Sequence, residues 1–190
     1  VDFGTYPYVT SSHTITGGAA VGLGVPPAAI GRVIGVAKAY TTRVGQGPFP
    51  TEDKADMGKY LRDTGSEFGA TTGRPRRCGA FDAPVVRYTA RLSGAQEIFL
   101  TKLDVLSDLD KIKIAGGYSN SPEFDPFIAD KLDPVYEVLP GFKTDISGIR
   151  DYKELPVEVK DYVKMIEHYT GLNGSHIGVG QERDAVIVRQ

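Results

Sequence analysis

The chain has 190 residues, of which 41% are hydrophobic and 24% charged, a composition typical of a soluble globular protein. Its formal net charge of −2 argues against a general binder of nucleic acid or of membrane surfaces, and no apolar run approaches the length of a membrane span. A single cysteine excludes an intrachain disulfide framework and a cysteine-cluster zinc site, and it suits a cytoplasmic protein.

The first informative segment carries consecutive hydroxyl side chains at Thr10, Ser11 and Ser12. A short helix is predicted just after them, over residues 18–22. The hydroxyls can bind an oxyanion together with nearby backbone N–H groups, or they can cap that helix. The sequence alone favours capping.

Residues 32–40 form a mostly apolar run that predicts a buried strand, and a Gly/Pro-rich turn follows at residues 45–50. Open α/β sheets place ligands where a strand ends in such a turn. On its own, this pattern is a weak sign of a ligand site. Residues 52–64 are polar and predict a helix with acidic residues in its first turn.

Residues 69–79, called the arginine segment below, place three arginines within four positions between glycines. Arginine forks match carboxylate and phosphate oxygens in a bidentate manner, and glycines allow the backbone to approach a ligand. The segment is therefore either a loop that holds an anion or a solvated basic turn. A helix predicted at 81–93 would place the arginines near a helix N-terminus, which also favours anions. Cys78 is interpreted as a small buried residue rather than a nucleophile.

Residues 97–106 predict a buried strand that ends at Lys102, Leu103 and Asp104. An aspartate can accept two hydrogen bonds from the N1–H and exocyclic amine of guanine, and a lysine stem can lie along the base. The alternative is a solvated Lys-x-Asp pair at a strand end.

The remaining segments predict strands at 112–117, 135–139 and 184–189 and a helix at 153–170 with an apolar stripe. Gly178 and Gly180 follow a short strand, so they form either a simple turn or a backbone that passes close to a flat ligand. The three histidines lack the spacing of metal ligands.

Five stretches, in this order, resemble adenylosuccinate synthetase: GTYPYVTSS (4–12), TRVGQGPFPTE (42–52), EFGATTGR (67–74), TKLDVL (101–106) and PVYEVLPG (134–141). They span nearly the whole chain but match only the last half of a typical family member. The lack of an initiator methionine at Val1 also suggests a fragment. The resemblance implies a single unit, residues 1–190. It would be the carboxyl-terminal part of a P-loop-like GTP-binding fold, with a mainly parallel sheet and flanking helices.

The family joins L-aspartate to inosine monophosphate (IMP) with hydrolysis of GTP. It yields adenylosuccinate through 6-phosphoryl-IMP, on the route to AMP. The resemblance thus implies IMP, L-aspartate and GTP as ligands, Mg²⁺ as cofactor, and a homodimer in the cytoplasm. Catalytic residues and metal ligands are expected upstream of Val1. We therefore expect this stretch alone to be inactive. The alternative is a non-catalytic module that binds a nucleotide or phosphate.

The resemblance also assigns roles to individual residues. Thr10 would contact the nucleotide phosphate, and Val44 would line the IMP pocket. Arg74 would also reach IMP, and Arg76 the GTP side. The aspartate loop would comprise Ala70, Thr71, Thr72, Gly73, Arg74, Pro75 and Arg76. The guanine site would comprise Lys102, Leu103 and Asp104 on one side of the base and Gly178, Val179 and Gly180 on the other. The family often has arginine where this chain has Pro75, so a stiffer loop is expected here.

Overall fold

The computed structural model describes residues 3–71 and 73–189 and confirms the predicted α/β class. Its helices are α1 (Thr16–Leu23), α2 (Asp56–Thr64), α3 (Ala83–Ser93) and α4 (Val157–Thr170). Its strands are β1 (Ile34–Lys38), β2 (Thr41–Arg43), β3 (Arg77–Gly79), β4 (Phe81–Asp82), β5 (Glu97–Thr101), β6 (Lys111–Tyr118), β7 (Pro134–Pro140), β8 (Asn173–Gly178) and β9 (Val186–Val188).

The central sheet has the strand order β1-β5-β8-β9. β5 pairs in parallel with β1 and with β8, whereas β9 is antiparallel to β8. Lys38 at the end of β1 aligns with Thr101 at the end of β5, and Leu100 aligns with Ile177 of β8. Because parallel strands end at the same edge, the segments that follow β1, β5 and β8 emerge side by side.

Helix α4 covers this sheet through the apolar stripe that the sequence predicts. Val159, Tyr162, Val163 and Ile166 are each at most 1% exposed and join the main core cluster. The Tyr162 hydroxyl donates to the Ala39 carbonyl at 2.6 Å, just beyond the end of β1. The helix therefore both buries the sheet and fixes the position of a strand end that belongs to the candidate site.

A second sheet has the order β4-β6-β7. β6 and β7 are antiparallel, as expected for two consecutive strands joined by a loop, and β4 is parallel to β6. Asp82 at the end of β4 accepts a hydrogen bond from the Val85 amide and so caps the N-terminus of α3. This cap orders the passage from the arginine segment into α3.

Three local predictions are wrong. Helix α1 begins after Ile15 without a side-chain cap, so Thr10, Ser11 and Ser12 do not cap it. β1 is an edge strand of the described sheet, and its Val36 is 71% exposed rather than buried. The arginine segment ends in β3, and β4 lies between it and α3, whose first turn is capped by Asp82. The arginines therefore do not lead directly into a helix N-terminus.

Candidate functional site

A buried glutamate, Glu67, joins the arginine segment to the ends of β1 and β5. Its carboxylate accepts hydrogen bonds from the Lys38 ammonium at 2.8 and 2.9 Å and from Arg76 at 2.7 Å. It also accepts from the Lys102 ammonium at 3.0 Å and from the Tyr40 hydroxyl at 2.7 Å. Arg76 of the arginine segment and Lys102 after β5 thus meet on one carboxylate.

The cluster around Glu67 holds more positive than negative charge. Burial raises the pKa of Glu67, but the hydrogen bonds from Lys38, Tyr40, Lys102 and Arg76 outweigh it and hold that pKa down to about 2. The glutamate is therefore ionised at neutral pH. Because three cationic side chains face one carboxylate, an excess of positive charge remains at the edge of the sheet, which favours anionic ligands.

The arginine segment forms a narrow loop whose base is held by backbone hydrogen bonds. The Arg76 amide donates to the Glu67 carbonyl, and the Gly69 amide donates to the Arg74 carbonyl, both at 2.9 Å. The tip of the loop is exposed at Ala70, Thr71, Gly73, Arg74 and Pro75. Thr72, also predicted to bind aspartate, lies outside the described residues. The predicted loop residues are therefore close together, with a fixed base and an open tip.

The glycines of the arginine segment serve different purposes. Gly73 has a φ of 62°, the left-handed conformation that glycine adopts without strain. Gly79 instead allows close packing, since a Cβ atom there would lie 1.9 Å from the Thr51 carbonyl oxygen. Only Gly73 thus has the backbone freedom of a ligand-binding turn.

Arg77 has a structural role that the sequence reasoning missed. Its guanidinium pairs with Glu52 at 2.6 and 2.8 Å and donates to the Gly47 carbonyl at 2.7 Å. It thereby braces the turn at residues 45–50. Val44, which the resemblance assigns to the IMP pocket, precedes this turn with its side chain 66% exposed. In the sequence, the one indication of this pairing is an acidic residue, Glu52, just after the turn.

The segment after β5 presents an unpaired acceptor. Lys102 has a φ of 60°, Leu103 is fully buried, and a 3-10 helix spans Leu103–Leu106. Within the part of the chain that the structure describes, the buried Oδ1 atom of Asp104 has no hydrogen-bond partner. Burial also raises the pKa of Asp104. Because an unpaired buried acceptor is costly, this atom is suited to a ligand that brings a donor.

The glycine turn at the end of β8 lies beside the end of β5. A Cβ atom on Gly178 would lie 3.3 Å from the Thr101 Cα, and one on Gly180 would lie 3.1 Å from the Ala185 Cβ. Neither glycine has a positive φ, so close packing is what requires them here. The Val179 side chain is fully buried, and its amide donates to the Ala185 carbonyl.

Other predicted features lie apart from this cluster. Thr10 borders a cavity of about 220 Å³ between the amino-terminal segment and α3. Cys78 is fully buried, as predicted, and burial raises its pKa to about 11. The described residues contain no group of three or more His, Cys, Asp or Glu side chains arranged to hold a metal ion. They also contain no helix long and apolar enough to cross a membrane.

The sequence model of adenylosuccinate synthetase matches residues 1–187 of this chain. The chain belongs to the adenylosuccinate synthetase family. It is 53% identical to the adenylosuccinate synthetase of Geotalea uraniireducens over 194 residues, covering 99% of this chain and 45% of that protein. The Paramecium tetraurelia enzyme is 50% identical over 195 residues, again with 45% of its length covered. The chain thus spans slightly less than half the length of these relatives.

Solved structures agree with this family membership. The fully ligated adenylosuccinate synthetase of Plasmodium falciparum is 44% identical and superposes with a TM-score of 0.94. It covers 100% of this chain, which matches 47% of that structure. A cyanophage S-2L succinoaminodeoxyadenylate synthetase has a TM-score of 0.58 at 20% identity, a likeness of fold alone. The described fold is therefore that of part of an adenylosuccinate synthetase.

Proposed function

We propose that this chain supplies the aspartate-binding loop and the guanine-binding segment of a ligase that joins L-aspartate to IMP. The products are adenylosuccinate, GDP and phosphate, and the intermediate is 6-phosphoryl-IMP. Family membership supports the reaction. The convergence of Arg76 and Lys102 on Glu67 supports an arrangement in which the two ligand sites are neighbours.

The single observation that carries the nucleotide assignment is the unpaired Oδ1 atom of Asp104. Guanine offers two adjacent donors, N1–H and the exocyclic amine, which a carboxylate can accept together. Adenine lacks this pair. Gly178 packs closely against Thr101, so the backbone of residues 178–180 is well placed to bound the other side of the base. Leu103, being fully buried, would support the segment rather than contact the nucleotide polar groups.

The aspartate assignment is supported by the shape and charge of the arginine segment. L-aspartate carries two carboxylates, which match the guanidinium of Arg74 and the hydroxyl of Thr71 at the exposed loop tip. Backbone hydrogen bonds hold the main chain at the loop base, so closure would move the tip and its side chains over the ligand. Closure would exclude water and protect a phosphorylated intermediate from hydrolysis. Val44 would line the IMP pocket, and Thr10 would contact the nucleotide phosphate from the amino-terminal segment.

The described residues do not fit a magnesium site, because they contain no cluster of metal-ligating side chains. Mg²⁺ would act on the GTP phosphates through ligands elsewhere in the family sequence. The role of this chain is to bind, orient and exclude water. A cytoplasmic homodimer belongs to the same proposal.

Asp104→Asn tests the nucleotide assignment in the complete protein. An asparagine amide can accept from N1–H but offers its NH₂ group to the guanine amine, so two donors would face each other. We expect the KM for GTP to rise about 10- to 100-fold, the value of a lost charge-assisted hydrogen bond. Xanthosine triphosphate, which has a carbonyl at that position, should become a substrate.

Asp108→Asn is the matched control, because Asp108 lies four residues further on and is exposed. Its nucleotide kinetics should equal those of the wild type. An Asp104→Asn enzyme with an unchanged KM for GTP and no use of xanthosine triphosphate would show that Asp104 does not read the base.

A further inference from the structure

Glu67 is a buried charged group that the proposed reaction does not use directly. We propose that Glu67 is a positioning residue that couples the aspartate loop to the guanine-binding segment, an inference that rests on the proposed function. Its side chain is 0% exposed, and its cationic partners come from three separate stretches of chain. An ionised carboxylate in such a place costs free energy unless it is fully paired.

The two carboxylate oxygens divide their partners between the two ligand segments. Oε1 accepts from Lys102, and Oε2 accepts from Arg76. Lys38 donates to both oxygens and Tyr40 donates to Oε1, so the carboxylate is fixed in orientation. Because both cations are held by the same carboxylate, a displacement of Arg76 that moves the carboxylate also displaces Lys102.

The main chain around Glu67 reinforces this connection. The Glu67 carbonyl accepts from the Arg76 amide, and the Gly65 carbonyl accepts from the Lys102 ammonium. Residues 65–67 are therefore held by Arg76 on one side and by Lys102 on the other. Within residues 3–71 and 73–189, the buried Nε atom of Arg76 has no hydrogen-bond partner. Arg76 thus retains a donor at Nε while its Nη1 atom is held by Glu67.

This geometry has a thermodynamic consequence. If closure of the loop on aspartate and IMP fixes Arg76, the shared carboxylate also fixes Lys102 in the position that suits guanine. Occupancy of one segment should then tighten the other, and the factor must be the same in both directions. The coupling needs no contact between the two ligands.

The test is a pair of GDP dissociation constants, measured by calorimetry in the complete protein without and with saturating IMP and L-aspartate. In the wild type we expect the second constant to be lower by about 5-fold or more. In Glu67→Gln, the side-chain amide turns an NH₂ group toward a cation. We therefore expect the ratio of the first GDP dissociation constant to the second to fall toward 1. The KM values for GTP and L-aspartate should rise together, with a smaller change in kcat.

Glu123→Gln is the matched control, since it breaks an arginine–carboxylate pair of similar geometry, Arg91–Glu123, that is exposed on the surface. It should keep the wild-type ratio. If Glu67→Gln does not fold, Glu67→Asp is the second variant. Its carboxylate keeps the charge but lies one methylene further from the cations, so the ratio of the two GDP dissociation constants should fall partway toward 1.

The outcomes separate the two proposals. A complete protein that forms no adenylosuccinate would overturn the proposed function. An active protein whose wild-type ratio is 1, or whose ratio is unchanged in Glu67→Gln or Glu67→Asp, would overturn the coupling role and leave the function standing.

Discussion

Two buried carboxylates have opposite electrostatic environments. Glu67 is surrounded by cations, and its hydrogen bonds outweigh burial so that its pKa is about 2. Burial dominates at Asp82, which is 2% exposed, and raises its pKa to about 6 despite hydrogen bonds from Tyr118 and the Val85 amide. The first group is built to stay charged, whereas the second gains a proton in mildly acidic solution.

These shifts predict opposite effects of pH on stability. The contribution of Glu67 is present above about pH 4.5 and is lost as the pH falls toward 2. The contribution of Asp82 is present below about pH 3.8 and is lost as the pH rises through 6. Each pKa shift changes the free energy of unfolding by on the order of 3 kcal/mol. Asp82→Asn should therefore abolish the loss in unfolding free energy that Asp82 causes as the pH rises from about 3.8 to 6.

Urea unfolding followed by circular dichroism, from about pH 3 to pH 7, measures this difference. Asp108→Asn, at an exposed position, should reproduce the wild-type curve. A curve for Asp82→Asn that runs parallel to the wild type through this range would show that Asp82 does not titrate as described.

At the level of residues, the sequence named candidate ligand groups but missed the residues that hold those groups in place. Arg76, Lys102 and Asp104 were named because their side-chain chemistry matches anions and guanine. Glu67 was missed because its partners are up to 35 positions away in the chain, and only folding brings them together. Arg77 was grouped with the ligand arginines, although the fold pairs it with Glu52.

At the level of elements, periodicity predicted the helices and strands well, including the apolar stripe of α4. It failed where burial depends on neighbours. β1 has the composition of a buried strand, yet it lies at the edge of the described sheet and its Val36 is exposed. Local hydroxyls likewise predicted a helix cap, but α1 begins at Thr16, and its N-cap residue is Ile15, whose side chain cannot accept a hydrogen bond.

The contact between β8 and the end of β5 gives a prediction at this scale. Gly178→Ala places a methyl group 3.3 Å from the Thr101 Cα, so the backbone before Lys102 must shift by a few tenths of an ångström. We expect a loss of about 1 kcal/mol in unfolding free energy, as for a mildly overpacked core. The affinity for GDP, measured by calorimetry in the complete protein, should fall several-fold.

Gly117→Ala is the matched control, because Gly117 also lies in a strand but a Cβ atom there would meet nothing within 4 Å. It should leave GDP affinity unchanged. Wild-type affinity in Gly178→Ala would mean that the guanine segment tolerates the shift or lies elsewhere.

At the level of the whole molecule, charge separates the proposed ligase from a phosphate-binding module. The net charge of −2 is spread over a chain whose basic segment is largely engaged internally. Arg76 is bound to Glu67, and Arg77 is bound to Glu52 and the Gly47 carbonyl. Such pairing leaves the arginine segment suited to one small anion rather than to a long polyanion.

We therefore predict that the protein does not bind single-stranded RNA tightly. A binder that neutralises several phosphates loses affinity steeply as salt rises, because each contact releases counterions. Fluorescence anisotropy with a labelled RNA at about 50 and 200 mM salt should show only weak binding at the lower concentration and none at the higher. GDP in the same buffers should bind at both concentrations, since one guanine contact and one short phosphate chain displace few ions. Tight RNA binding with a steep salt slope, together with no preference for GDP over ADP, would favour the module over the ligase.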